Sequence, residues 1–186
     1  HYGDLSGITA GNQPKWFEIF TKPERVILKT KDWEQKLQQI VNEAHKWDVG
    51  MVAAVPAWLQ ILCERIIEHH KLNNIHEIWP NFEVYIHGGV SFEPFKKAFE
   101  PLLGKPLNYF ETYLASEGFM AFKSKPDAQG MKLLLKNNIY FEFVPFDNEN
   151  FNEEGELKPN PKVIDIMNVE LGKEYALLIS TCSGAW

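Results

Sequence analysis

The sequence predicts an α/β fold: a mixed sheet flanked by helices, with a β-rich C-terminal portion. Three observations predict it. Apolar residues recur at helical spacing over residues 32–47 and again over 56–70. Short apolar runs bounded by Gly, Pro or Asn separate those stretches, as strands of a sheet would. From residue 131 onward, apolar runs of strand length dominate.

The elements follow in chain order. Residues 1–30 are punctuated by Gly, Pro and Lys; Trp16, Phe17, Ile19 and Phe20 form an apolar patch, and Val26, Ile27 and Leu28 suit a short strand. Trp33, Leu37, Ile40, Val41 and Ala44 give the first helix its apolar face, and Asp32 with Gln35 forms a capping box at its start. Val49 to Val55 reads as a strand closed by Pro56, which suits the first turn of the second helix. Leu59, Leu62, Cys63, Ile66 and Ile67 make an unbroken stripe along that helix. Val84-Tyr85-Ile86 is a strand running into His87-Gly88-Gly89, and Ser91 is placed to cap a helix over about 92–100. A strand around Leu107 to Glu111 leads into a turn from Thr112 to Gly118. Met131 to Leu135 and Ile139 to Val144, separated by Lys136-Asn137-Asn138, read as a hairpin. Asp147 to Pro161 reads as an exposed loop, with strands at Val163 to Met167 and Tyr175 to Thr181.

Bulk composition narrows the classes. A length of 186 residues suits one domain or part of a larger one. The net charge of −6 repels a phosphate backbone, which disfavours nucleic-acid binding. No run of about 18 apolar residues offers a membrane span. Cys63 and Cys182 read as two reduced core thiols, in keeping with a reducing cytosol. The irregular opening run Tyr2 to Gly7, and a stop at Ser183-Gly184-Ala185-Trp186 directly after an apolar strand, lead us to expect a single α/β segment over residues 1–186 cut from the interior of a longer protein.

Chemistry is expected where strands give way to loops, because open α/β sheets bind ligands beyond the carboxyl ends of their strands. At Gly88-Gly89 two missing side chains let a flat ligand approach the backbone, although the same pair also serves a plain tight turn. Tyr113 to Gly118 offers an aromatic face, the Ser116 hydroxyl and the Glu117 carboxylate, or else an ordinary polar turn. A ring can stack on adenine, a hydroxyl can hold a phosphate oxygen, and a carboxylate can hold Mg²⁺ against phosphates. Other groups are weaker candidates. His69 and His70 are adjacent on a helix and point in different directions. Lys96-Lys97 and Glu153-Glu154 read as solvated, and His45 and His76 have no evident partner. There is no CxxC, HExxH or Walker-type loop.

Several separated runs stand in a familiar order: Val52 to Trp58, Ile78 to Asn81, His87 to Pro94, Glu111 to Gly118 and Val169 to Ala176. Together they resemble the auxin-responsive Gretchen Hagen family of acyl acid–amido synthetases, its bacterial members most of all. The resemblance runs from about residue 32 to the end. It implies part of the large N-terminal domain of an acyl-adenylating enzyme, using ATP and Mg²⁺ to join a small carboxylic acid to an amine such as an amino acid. Tyr113, Ser116 and Glu117 match the family's Tyr-x-x-Ser-Glu segment. By that match Tyr113 lies against adenine, Ser116 near the α-phosphate and Glu117 near Mg²⁺, with Ser116 and Glu117 catalytic. Thr112 and Gly118 complete the nucleotide stretch, and Gly88 and Gly89 line the adenine and acyl pocket. Leu114-Ala115 departs from the Ala-Ser commoner in plant members. The family's phosphate loop is expected upstream of residue 1, and its Tyr-Arg-x-Gly-Asp segment and lysine-bearing lid downstream of Trp186. The same scaffold would also suit a non-catalytic acyl- or nucleotide-binding relative, or an adenylating enzyme with a thiol acceptor.

Overall fold

A computed structural model describes residue 14, residues 16–182 and residues 184–185. The opening run Tyr2 to Gly7 and the closing Ser183 and Trp186 lie outside the described residues. After a 3₁₀ turn at Glu18–Phe20 comes a single α-helical turn, α1 (Arg25–Leu28), where a strand was expected. Val26 is 81% exposed there, so the β-formers Val26 and Ile27 have no sheet to join and the local helical bonds prevail. Helix α2 (Trp33–Glu43) starts as expected: the Asp32 carboxylate accepts a bond of 2.7 Å from the Gln35 backbone N–H. Its last turn tightens into a 3₁₀ segment at Ala44–Lys46.

Strand β1 (Met51–Ala53) precedes helix α3 (Pro56–His70), which opens with Pro56 in its first turn. Helix α3 ends on Lys71 in the left-handed conformation, with the Leu72 N–H donating to the Ile67 carbonyl. Strand β2 (Val84–Gly88) alternates as a half-covered strand should, with Tyr85 and His87 buried and Val84 and Ile86 half-buried. Helix α4 (Glu93–Phe99) begins later than a Ser91 cap requires. Phe92 occupies the cap position, held by packing on Tyr85 and Phe99 instead of by a side-chain hydrogen bond.

Strands β3 (Asn108–Ala115), β4 (Gly118–Phe122) and β5 (Lys132–Leu133) complete a five-stranded mixed sheet in the order β1-β2-β3-β4-β5. The first three strands run parallel, and β4 and β5 join antiparallel. Helix–strand alternation produces the parallel half, because parallel neighbours need a crossover connection. The main core gathers Leu37 and Val41 from α2, Leu59, Cys63 and Ile66 from α3, Tyr85 from β2 and Phe99 from α4. Two long-range bonds fasten it. The buried Trp79 indole N–H donates to the Ala44 carbonyl at 2.9 Å, and the Tyr85 hydroxyl donates to the Ala54 carbonyl at 3.1 Å.

The C-terminal half is β-rich but paired differently from the sequence expectation. Strand β6 (Tyr140–Pro145) joins β7 (Tyr175–Thr181) and the short β8 (Gly184–Ala185) in a second, antiparallel sheet. The expected hairpin over 131–144 is therefore absent: β5 closes the first sheet and β6 opens the second. Its turn residues act as a junction. The Asn137 amide donates to the Phe119 carbonyl, Asn138 takes a positive φ of 61°, and Ile139 packs beneath Gly118. A second core of Met120, Phe141 and Ile179 joins the two sheets. Residues 147–161 are largely exposed, yet Asn150 and Phe151 are buried, and the Asp147 carboxylate gathers the Glu149 and Asn150 N–H groups. Only Ile164 of the expected strand 163–167 pairs with β6; Asp165 then caps a 3₁₀ turn and draws the chain away. Among the described residues no helix is long and apolar enough to cross a membrane.

Ile66 is fully buried in the main core, whereas Ile61 on the same helix is exposed. Ile66→Ala should cost about 2–5 kcal/mol by urea denaturation, and Ile61→Ala well under half of that.

Candidate functional site

The carboxyl ends of the parallel strands β2 and β3 lie side by side, and Gly88 pairs with Thr112. A Cβ at Gly88 would sit 2.5 Å from the Thr112 carbonyl oxygen and 2.6 Å from its hydroxyl, so only glycine lets the strands close here. Gly89 follows with φ at +81°, and a Cβ there would meet nothing within 4 Å. The Thr112 hydroxyl donates to the His87 carbonyl at 3.0 Å and ties the base of the glycine pair to β3. Gly88, Gly89, Thr112 and Tyr113 therefore share one end of the sheet.

The stretch from Thr112 onward is mostly strand, not turn. β3 continues through Ala115, paired with β4, and only Ser116 and Glu117 form the two-residue tip of the hairpin before Gly118. A register shift between Tyr113 and Leu114 marks a bulge, the device by which a strand re-aims side chains near its end. Tyr113 is 43% exposed, Ser116 is exposed and Glu117 is half-buried. The Ser116 hydroxyl donates to the Glu117 carboxylate at 3.3 Å. An available ring, a hydroxyl and a carboxylate thus project from a paired hairpin. Mg²⁺ is usually held by one or two carboxylates together with phosphate oxygens and waters, and the single Glu117 carboxylate fits that pattern.

A second feature, missed in the sequence, lies beneath the glycine pair. His87 and Glu111 are register partners on β2 and β3, and Lys123 follows β4 with its N–H donating to the Glu111 carbonyl. With Ser91, Glu93 and Lys96 they line a polar cavity of about 130 Å³. His87 is only 5% exposed, and its Nδ1 has no hydrogen-bond partner. Burial holds the imidazole below its ordinary value of 6.5; Glu111 opposes that shift and Lys123 adds to it. The signal in the sequence was parity: His87 stands two residues after Tyr85, so both face the helices.

The weaker candidates resolve as fasteners or surface groups. His76 accepts from the Gly104 N–H at Nδ1 and so donates from Nε2 to the Phe82 carbonyl, both at 2.9 Å. His69 and His45 flank the His70 ring, and among the described residues no group of three or more His, Cys, Asp or Glu is arranged to hold a metal. Cys63 is buried, and burial pushes its thiol up to about 12. Cys182 is exposed, which corrects its reading as a core thiol; it lies just past the end of β7. A larger hollow of about 360 Å³ beside β1 is walled by Trp33, Trp47, Trp58 and Trp79. Its charged groups are already engaged: Lys22 pairs with Glu24, and Asp48 accepts from Asn81.

Gly88→Ala should cost about 1–3 kcal/mol, because the new methyl meets backbone on β3. Gly89→Ala should cost about 1–2 kcal/mol from its positive φ alone. Urea denaturation measures both. His87 also predicts a pH dependence. Its folded-state value lies below the unfolded one, so the unfolded chain binds the extra proton. Its contribution is complete above about pH 6.5 and is lost as the pH falls through the folded value. Unfolding curves recorded from about pH 8 to pH 5 should therefore flatten in His87→Gln.

Comparison with known proteins bears on this arrangement. The GH3 family N-terminal domain matches residues 1–107, and the GH3 family central domain matches residues 132–186. Thr112 to Gly118 falls between the two matched stretches. The chain is similar to indole-3-acetic acid-amido synthetase GH3.2 of Arabidopsis thaliana, 26% identical over 118 residues, 60% of this chain and 21% of that protein. It is similar also to probable indole-3-acetic acid-amido synthetase GH3.6 of Oryza sativa subsp. japonica, 30% identical over 118 residues, 60% of this chain and 23% of that protein. The chain thus spans about a fifth of the length of these curated relatives. Among solved structures, the Klebsiella oxytoca NpsA N-terminal subdomain is similar at 15% identity and a TM-score of 0.38, over 84% of this chain and 33% of that one. The first domain match covers more than half of the chain and the second most of the remainder, so the chain belongs to the GH3 family.

Proposed function

We propose that the chain is the part of an acyl-adenylating acid–amido synthetase that carries half of its nucleotide pocket. The observation that supports this reading best is the pairing of Gly88 with Thr112, which sets the glycine pair beside the strand leading to Tyr113, Ser116 and Glu117. Membership of a family whose similar members are named as amido synthetases supports the reaction class. ATP is then a substrate. The carboxylate oxygen of a small acid attacks the α-phosphorus, pyrophosphate leaves with the bonding pair, and an amine later displaces AMP from the acyl carbon. The activation is needed because oxide is a poor leaving group and AMP a good one.

In this proposal the chain's own residues position and polarise. Tyr113 offers its exposed ring as the face on which adenine rests. Gly89 leaves open backbone for the ligand's edge. Ser116 donates to an α-phosphate oxygen, and Thr112 and Gly118 fix the hairpin that carries it. Glu117 is the residue that would hold Mg²⁺, whose chemistry is to neutralise phosphate charge as pyrophosphate departs. The partners are a small carboxylic acid and an amine such as an amino acid, and the net charge of −6 argues against nucleic acid. Sparse cysteine use supports a cytoplasmic location.

Pyrophosphate exchange by the whole gene product, over a panel of carboxylic acids, tests the proposal. Glu117→Ala should lower exchange by about a hundredfold or more while leaving the urea midpoint unchanged, since the half-exposed carboxylate supports no packing. Wild-type exchange in that variant would remove Glu117 from the reaction.

A further inference from the structure

The polar cavity beneath the glycine pair has no role in the reaction as proposed. Its composition is unusual for a strand-to-helix junction. Glu111 from β3, Lys123 after β4, and Glu93 and Lys96 from α4 all line about 130 Å³. None of the four forms an ion pair with another among the described residues. Tyr109 of β3 closes one wall, and Tyr85 of β2 lies beside the imidazole at 5.3 Å between ring centroids. The Phe92 ring covers His87 at 5.0 Å with an interplanar angle of 36°. A buried donor-acceptor ring with an orphaned nitrogen therefore faces two carboxylates and two ammonium groups, with free volume in which to turn. A buried polar atom left without a partner costs free energy, so such a group needs a reason for its place.

That place is the last side chain before Gly88. The His87 carbonyl accepts from Thr112, and Gly88 abuts Thr112 with no slack. His87 and the glycine pair are therefore tied to the same residue of β3, the one by a hydrogen bond and the other by close approach. We infer that His87 is a positioning residue: neutral, it seats Gly88 and Gly89 against β3, and on taking a proton it turns toward Glu111 and withdraws the loop from its ligand. Where the loop serves a nucleotide, as proposed above, acidification then lowers affinity for the adenine end of that ligand. The electrostatic setting agrees in sign: burial keeps the ring neutral, Glu111 and Glu93 favour the imidazolium and Lys123 opposes it.

Two readouts on the whole gene product test this. The first is independent of any ligand. With labelled histidine and glycine, the amide resonances of Gly88 and Gly89 should follow the His87 ring titration in the wild type and stay fixed in His87→Gln. Glycine amides that stay put while the ring titrates, or a ring that never titrates between about pH 8 and pH 5, would overturn the inference. The second uses adenosine, which has no phosphate to titrate. Its affinity should fall about tenfold across a one-proton step in the wild type, the change expected for a one-unit coupling. His87→Gln should keep the neutral-pH affinity and lose the step. Glu111→Gln should move the step to lower pH, and Lys123→Met to higher pH. A step that survives in His87→Gln assigns the proton elsewhere and rejects the inference. A wild type that binds no adenosine at neutral pH sinks the nucleotide reading of the loop, and the glycine amides then decide the inference alone.

Discussion

The arrangement of this molecule depends on one close approach, that of the Gly88 backbone to Thr112 across the parallel β2–β3 seam. A single methyl would collide with both the carbonyl and the hydroxyl of Thr112. Because it is absent, β2 stays paired with β3 to its own last residue, from Val84 with Asn108 to Gly88 with Thr112. The Thr112 hydroxyl then bonds back to His87. The seam therefore fixes three things together: the height of the glycine pair, the start of the hairpin that bears Ser116 and Glu117, and the depth of His87. The contact itself adds little energy. It matters because the sheet is backed by the close-packed main core of Tyr85, Phe92, Phe99 and Leu107, which leaves little room for the strands to move apart.

How much of this was legible in the sequence depended on how local the determining forces are. Helix α3 was legible from its stripe of Leu59, Cys63 and Ile66, and helix α2 from its Asp32 cap, because both are set within a few residues. Strand β2 was legible because its alternation is set by one buried face. The end of β3 was not. Thr112-Tyr113-Leu114-Ala115 runs directly into the turn-forming Ser116-Glu117-Gly118, and pairing with Gly88 on β2 and with Phe122, Ala121 and Phe119 on β4 keeps it extended. The false hairpin over 131–144 failed for the same reason. Two apolar runs around Asn137-Asn138 specify a reversal, but which sheet each run joins is decided by contacts with Phe119 and with β7, far away in sequence.

The candidate site was legible in its residues and not in its geometry. Gly88, Gly89, Tyr113, Ser116 and Glu117 could be singled out by type, yet the sequence made the last three members of a flexible turn. Tyr113 is held instead by the ladder at a bulge, and Ser116 and Glu117 form the short tip of that paired hairpin; a site on a rigid element needs less reorganisation when ligand arrives. His87 escaped notice because a lone histidine before a glycine pair looks like a turn residue. Its meaning comes from Glu111 on the neighbouring strand and Phe92 on the following helix, both invisible to local pattern.

The boundary between the two family domains sharpens the point. The N-terminal match stops at Leu107 and the central match starts at Lys132, but the sheet does not stop between them. β3 and β4 occupy that interval, and they are shared property. β3 pairs with β2 in the first core, whereas Met120 of β4 is the centre of the second core with Phe141 and Ile179. Gly118 sits against Ile139 at the head of the second sheet. The tip formed by Ser116 and Glu117 is thus positioned from both sides, by the glycine seam below and by the second sheet beyond. A hairpin anchored in two cores can hold a carboxylate at a fixed distance from the glycine pair, which neither sheet alone would define.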